Sequence, residues 1–163
     1  MALITVVGQS QRRSLQLQTA ECTDIPNEQY LEIPDAEFQK LPEIKKSFGT
    51  DIEQRAQPTG VYNCHGLVFG SRRTSIYDAD ILSKILTEDC YVSVEPQEVM
   101  PGDLILYFEP NGEIIHSGVV VSKAAPPFHI PLVCSKWGHN GEFIHLASKT
   151  TYGSNWKFFR VSR

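Results

Sequence analysis

Three features of this chain predict an α+β domain, with helices early and an antiparallel meander late. A helix-period apolar pattern spans residues 78–87, four short strand-like runs follow between 103 and 161, and Gly, Pro or Asn bounds those runs. With 163 residues, 41% of them apolar and 21% charged, the chain can bury one sizeable core and fits a single globular domain.

The opening run Ala2–Val7 is short and apolar, has no basic residue before it and leads into Gly8–Arg13, so it reads as an edge strand and not as a signal peptide. Leu15–Thr19 alternates apolar and polar residues, the period of a second short strand, and a polar linker follows. Phe38, Leu41, Ile44 and Phe48 then recur at roughly helical spacing, and Pro42 among them is expected to break or kink the helix. Residues 1–59 are therefore expected to be an N-terminal extension, with short strands and a broken helix, packed on the same core as residues 60–163.

Cys64–Phe69 is a short apolar run that begins where the polar turn Val61–Asn63 stops, and it reads as a helix. Asp78–Thr87 places Leu82, Ile85 and Leu86 on one helical face, with Asp78 or Ser75 available as cap. Asp103–Phe108, Ile114–Val121, Phe143–Leu146 and Trp156–Val161 are β-branched or aromatic and short, as strands are. Glu109-Pro-Asn-Gly112 joins the first two of these, and Asn-Gly supplies the positive φ of a tight hairpin turn. The Pro-rich stretch Lys123–Pro131 reads as a surface loop, and Leu132–Gly138 after it as one more strand.

A net charge of −4 argues against an electrostatic grip on nucleic acid or on an anionic membrane. Arg12-Arg13, Lys45-Lys46 and Arg72-Arg73 read as solvated faces. No window approaches about 18 consecutive apolar residues, so the chain is expected to be soluble, in the cytoplasm or exported without a classical signal peptide. The four cysteines, at 22, 64, 90 and 134, are too few and too far apart for a disulfide scaffold and are expected to be reduced. No C-x-x-C or H-x-x-x-H spacing occurs, so no metal is expected.

Cys64 stands at the start of its helix, where unpaired backbone N–H groups favour thiolate over a thiol that otherwise titrates near about 8.5. A thiolate nucleophile needs a base within hydrogen-bond reach, and the base needs a third polar group to hold its ring. His116 is the first candidate for base, because it puts a polar ring into the otherwise apolar run Ile114–Val121. His145 is in the same position within Phe143–Leu146, and the two rings share a sheet face if those strands pair. His65 is expected to turn away from the thiol and line the cleft, and His129 and His139 to be exposed. The backbone N–H of Cys64, helped by Tyr62, is placed to hold an oxyanion, and Trp137 beside Gly138 and Lys136 to form a substrate surface.

Four segments in order carry a resemblance: the helix-start Cys64, then Met100-Pro-Gly-Asp103 opening a strand, then His116-Ser-Gly118, then Gly141-Glu-Phe-Ile-His-Leu-Ala-Ser148. Over about residues 60–148 the chain resembles the NlpC-type papain-like cysteine peptidases and amidases. Arg73-Thr-Ser75 resembles the Arg-Thr-Ser segment that often follows the nucleophile helix of that family. The resemblance implies a papain-like fold with the nucleophile helix packed on an antiparallel β-sheet. It also implies Cys64 as nucleophile, His116 as general base, His145 as the residue that orients it, and no cofactor. The chain departs from the family pattern where Asn63 and His65 flank the cysteine in place of Asp and Ser, both near the substrate. It departs again in the longer stretch between His116 and His145, and its first 60 residues match no known pattern.

The expected activity is hydrolysis of an amide, peptide or similar acyl bond through an acyl-enzyme, on a protein or cell-wall peptide substrate. Two alternatives keep the same residues: an acyltransferase or protein-modifying effector or toxin, and a catalytically inert ligand-binding module.

Overall fold

The structure is a computed structural model and describes residues 12–33, 39–123 and 125–162. The strand expected at Ala2–Val7 and the residue Phe38 lie outside that range. Two short strands, β1 (Arg12–Arg13) and β2 (Gln29–Tyr30), pair with each other as a small antiparallel ribbon. The main body is a seven-stranded sheet in the order β3-β8-β7-β6-β5-β9-β4, antiparallel at every pairing. Its strands are β3 (Ile52–Ala56), β4 (Tyr91–Val94), β5 (Leu104–Phe108), β6 (Ile114–Ser122), β7 (Leu132–Lys136), β8 (Glu142–Leu146) and β9 (Trp156–Val161). Among the described residues three α-helices join them: α1 (Lys40–Phe48), α2 (Cys64–Phe69) and α3 (Ala79–Glu88). The α+β expectation holds at this level.

Both faces of the sheet are covered, which is why its central strands read as nearly continuous apolar runs. On one face Ile81, Leu82 and Ile85 of α3 pack with Ile25 and Ile76 onto Leu106 and Ile114. On the other, Ile105, Tyr107, Val120, Val133 and Phe158 pack with Val99 and Ala147, under loops that contribute Ile130 and Tyr152. Asp78 caps α3, its carboxylate accepting from the N–H groups of Asp80 and Ile81. The Glu109–Gly112 segment makes the expected tight turn, with Gly112 at φ +89° and its N–H donating to the Glu109 carbonyl at 2.9 Å. Asp103, at the mouth of β5, accepts the Met100 N–H at 2.7 Å and takes two bonds from Arg160 of β9, both 2.7 Å. The Pro-Gly-Asp segment thereby ties a turn to two strands.

Two expectations for the first part of the chain change. Pro42 does not break a helix, because α1 begins at Lys40 and leaves Pro42 in the first turn, where backbone N–H groups have no intrahelical acceptor. Leu15–Thr19 has the predicted alternation in burial, with residues 15, 17 and 19 turned inward, yet it joins no strand ladder. Within the described part of residues 1–59, Ile25 belongs to the core, in keeping with an extension packed on it, and β3 goes further by pairing with β8 as an edge of the main sheet.

Candidate active site

Cys64 is the first residue of α2, and the residues on either side explain why the helix begins there. Asn63 has extended backbone at φ −105° and accepts the Gly66 N–H at 2.8 Å, satisfying one of the helix's free donors. The same side chain accepts the Ile76 N–H at 3.1 Å and donates to the Ile76 carbonyl at 2.7 Å. The carbonyl oxygen and one N–H of its amide are spent on positioning, so Asn63 acts as a cap. A Cβ on Gly66 would lie 1.7 Å from the Thr74 carbonyl oxygen, so only glycine lets α2 pass this close to the 74–76 segment.

The thiol is half-buried. Burial pushes it up, and hydrogen bonding from the Ser117 N–H, the His65 N–H, the Ser117 hydroxyl and its own N–H opposes that rise without cancelling it. The lowered thiol expected from the helix start is thus not found, because desolvation outweighs what a six-residue helix supplies.

Alternation along β6 turns His116 and Ser117 to opposite faces of the sheet. Ser117 faces α2, where its Oγ lies 2.9 Å from the Nδ1 of His65. His65 is 7% exposed, and burial pulls it down to about 4, so at neutral pH it is uncharged and part of the interior, not the lining of an open cleft. His116 is wholly buried, and neither of its ring nitrogens has a hydrogen-bond partner. Its ring lies flat on Tyr152, centroids 3.6 Å apart and planes within 7°, with Tyr107 at 5.5 Å. Burial holds it well below the ordinary histidine value, and the nearby His65 and His145 add to that. No hydrogen bond joins His116 to Cys64 in this arrangement.

His145 is equally buried but fully bonded. Its Nδ1 lies 2.7 Å from the Leu146 carbonyl, which can only accept, so Nδ1 carries the proton. Nε2 then accepts from the Ser135 hydroxyl at 2.7 Å, and Ser135 Oγ accepts the Trp137 indole N–H at 2.9 Å. The strands of the two histidines do not pair, because β7 lies between them. Both rings are on the same face, but the register sets His145 beside Val133 and Val120 and not beside His116. The structure thus holds no bond by which His145 could orient His116.

Two more expected contacts prove internal. The Tyr62 hydroxyl donates to Glu142 at 2.7 Å and is not free for an oxyanion. Trp137 is 4% exposed, wedged between Phe48 of α1 at 4.8 Å and Phe143 at 5.2 Å, so it is core and not a substrate surface. His129 and His139 are half-buried, not exposed.

Beside Tyr62 is a charged cluster that pattern reading missed. Glu142, 1% exposed, is held by Arg72 at 2.6 Å, and although burial works to raise its carboxyl, the Arg72 and Tyr62 hydrogen bonds bring it below the usual range. Arg72 is therefore a structural ion-pair partner and more than a solvated charge. Lys136 is fully buried, donates to the Thr59 and Gly138 carbonyls at 2.8 and 2.6 Å, and lies 5.1 Å from the Tyr62 ring centroid. Burial lowers its ammonium to about 8, while the charges of Glu142 and Cys64 pull the other way. Ser117, Tyr152, Lys136 and Glu142 were given no role of their own from the sequence. Ser117 alone left a signal: two successive polar residues in an apolar strand cannot both face one side.

Among the described residues no group of three His, Cys, Asp or Glu side chains is arranged to hold a metal ion, and no helix is long and apolar enough to cross a membrane. Comparison with protein-family models, with curated proteins and with solved structures finds no match.

Proposed function

We propose that the chain is a cysteine hydrolase with an NlpC-type papain-like fold, acting on an amide, peptide or similar acyl bond. Cys64 is the nucleophile and His116 the base. His116 takes the thiol proton, the sulfur attacks the carbonyl carbon, and the oxyanion develops beside the Cys64 N–H at the start of α2. His116 then protonates the leaving amine, and water releases the acyl group from sulfur.

The observation that carries this assignment is the state of His116. A buried polar group without a partner costs about 1–3 kcal/mol, so a fully buried imidazole with both nitrogens unbonded calls for a reason. A neutral imidazole is also the form a general base must have. Tyr152 covers that ring, and its phenol is pushed up by burial, with the charge of Cys64 adding to the rise. His116 and the Ser117 side chain stand on opposite faces of β6, so for the imidazole to reach the sulfur both the His116 side chain and Tyr152 have to rearrange when substrate enters. His145 acts as part of the frame, locked by Ser135 and Leu146, and its proximity helps keep His116 neutral.

Turnover of peptide and amide substrates by the parent, Cys64→Ala and His116→Ala proteins tests this, with urea unfolding as the check on structure. Both variants are expected to lose about 10³-fold or more in turnover and to unfold cooperatively. Parental activity in either one overturns the assignment. Product analysis with added amine separates hydrolysis from acyl transfer by the same residues.

A further inference from the structure

We infer that Ser117 and His65 form a positioning pair that holds the Cys64 sulfur against β6 and stabilises its thiolate, on the side of the strand away from His116. This rests on Cys64 being the nucleophile proposed above. Ser117 is fully buried and is the residue of β6 turned toward α2, and its Oγ meets the Nδ1 of His65 at 2.9 Å. His65 follows Cys64 directly, so anchoring its ring on Ser117 fixes the first turn of α2, and the sulfur with it, over one point of the strand.

The chemistry of the pair is directional. A serine oxygen can accept one hydrogen bond while donating its own hydrogen. With His65 neutral and its proton on Nδ1, Nδ1–H donates to Ser117 Oγ, and the hydroxyl hydrogen turns to the sulfur. The Ser117 backbone N–H adds a second donor to the sulfur. No proton is transferred through the pair. The other titratable groups on which the charge of the sulfur acts are Lys136 from β7, Tyr77 from the segment before α3 and Tyr152 from the segment before β9.

The test is the rate of Cys64 alkylation by iodoacetamide against pH, read at the Cys64 peptide by mass spectrometry so that the exposed Cys22 and Cys90 do not interfere. Ser117→Ala is expected to raise the midpoint of the profile by about one unit and to slow alkylation at neutral pH about tenfold. Ser117→Thr, which keeps the hydroxyl, should stay within about twofold of the parent. His65→Ala should move the midpoint the same way by less, and the double variant no further than Ser117→Ala alone, because the two residues act through one hydrogen bond. A Ser117→Ala profile superimposed on the parent's, at an unchanged urea midpoint, overturns the pair, as do additive shifts in the double variant. Should Ser117→Ala fail to fold, His65→Asn decides: a parental profile is expected if its amide replaces the Nδ1–H donor, and a profile as displaced as that of His65→Ala counts against the pair. Alkylation needs no substrate, so failure to turn over any amide would overturn the hydrolase assignment and leave this result standing.

Discussion

His116 and His145 are both fully buried, lie on one face of one sheet and interrupt apolar strands, yet their hydrogen bonding is opposite. Every polar atom of the His145 ring is used, in a chain that runs from Trp137 through Ser135 to Leu146. His116 has only the flat faces of its ring in contact, against Tyr152. Burial alone therefore does not separate a working imidazole from an architectural one. The separating quantity is unspent hydrogen-bonding capacity, since that is what a reacting group can later use.

The contrast can be broken most sharply by giving both positions the same apolar ring. His116→Phe should abolish turnover, about 10³-fold or more, while changing stability by less than about 1 kcal/mol, because it removes a polar group that had no partner and keeps the stack on Tyr152. His145→Phe should cost about 2–3 kcal/mol in urea unfolding, because it leaves the Ser135 hydroxyl and the Leu146 carbonyl buried and unpaired. Equal stability costs at the two positions would remove the basis of the comparison.

Acid sharpens the same contrast. His65, His116 and His145 are all held below the ordinary histidine value of about 6.5, His65 at about 4. Between those values the unfolded chain binds more protons than the folded one, so stability is full above about pH 6.5 and falls as pH drops toward 4. Asp103 and Glu142, held below the usual carboxylate range, lose their contributions only at more acidic pH, so the first part of the decline belongs to the histidines. The urea midpoint should fall on acidification from pH 7 to 5, and His116→Phe should flatten that slope more than His145→Phe, because the Leu146 carbonyl partly restores the His145 value. The smallest effect is expected for Trp137→Phe, which loses one indole donor to Ser135 and should cost about 1 kcal/mol, with turnover unchanged.

What the sequence disclosed follows from how much of each element is buried. β5 through β9 carry strong apolar signatures because the sheet is covered on both faces, and their turns and the Asp78 cap were readable in the residues. β3 and β4 were not readable, since Ile52–Ala56 and Tyr91–Val94 are edge strands, short and only partly buried, and the first carries Glu, Gln and Arg among its five residues. Cys64 and His116 stood out as polar groups in apolar surroundings, and the structure leaves both ring nitrogens of His116 without a partner. The roles expected of His145, Tyr62 and Trp137 were misjudged because hydrogen-bond satisfaction depends on long-range neighbours. That β7 intervenes between β6 and β8, and that Tyr152 folds back onto β6, is written in no local pattern.

β3 has a consequence for which strand edge the sheet presents. It is supplied from before the nucleophile, and it closes the side of the sheet where β8 would otherwise present a bare row of N–H and C=O groups. A chain beginning at residue 57 would keep Cys64, His116 and His145 but expose β8 as a template for strand addition by another chain. Such a truncation is expected to self-associate through that edge, with the residues of the candidate site intact and the surface around His145 occupied by a neighbour.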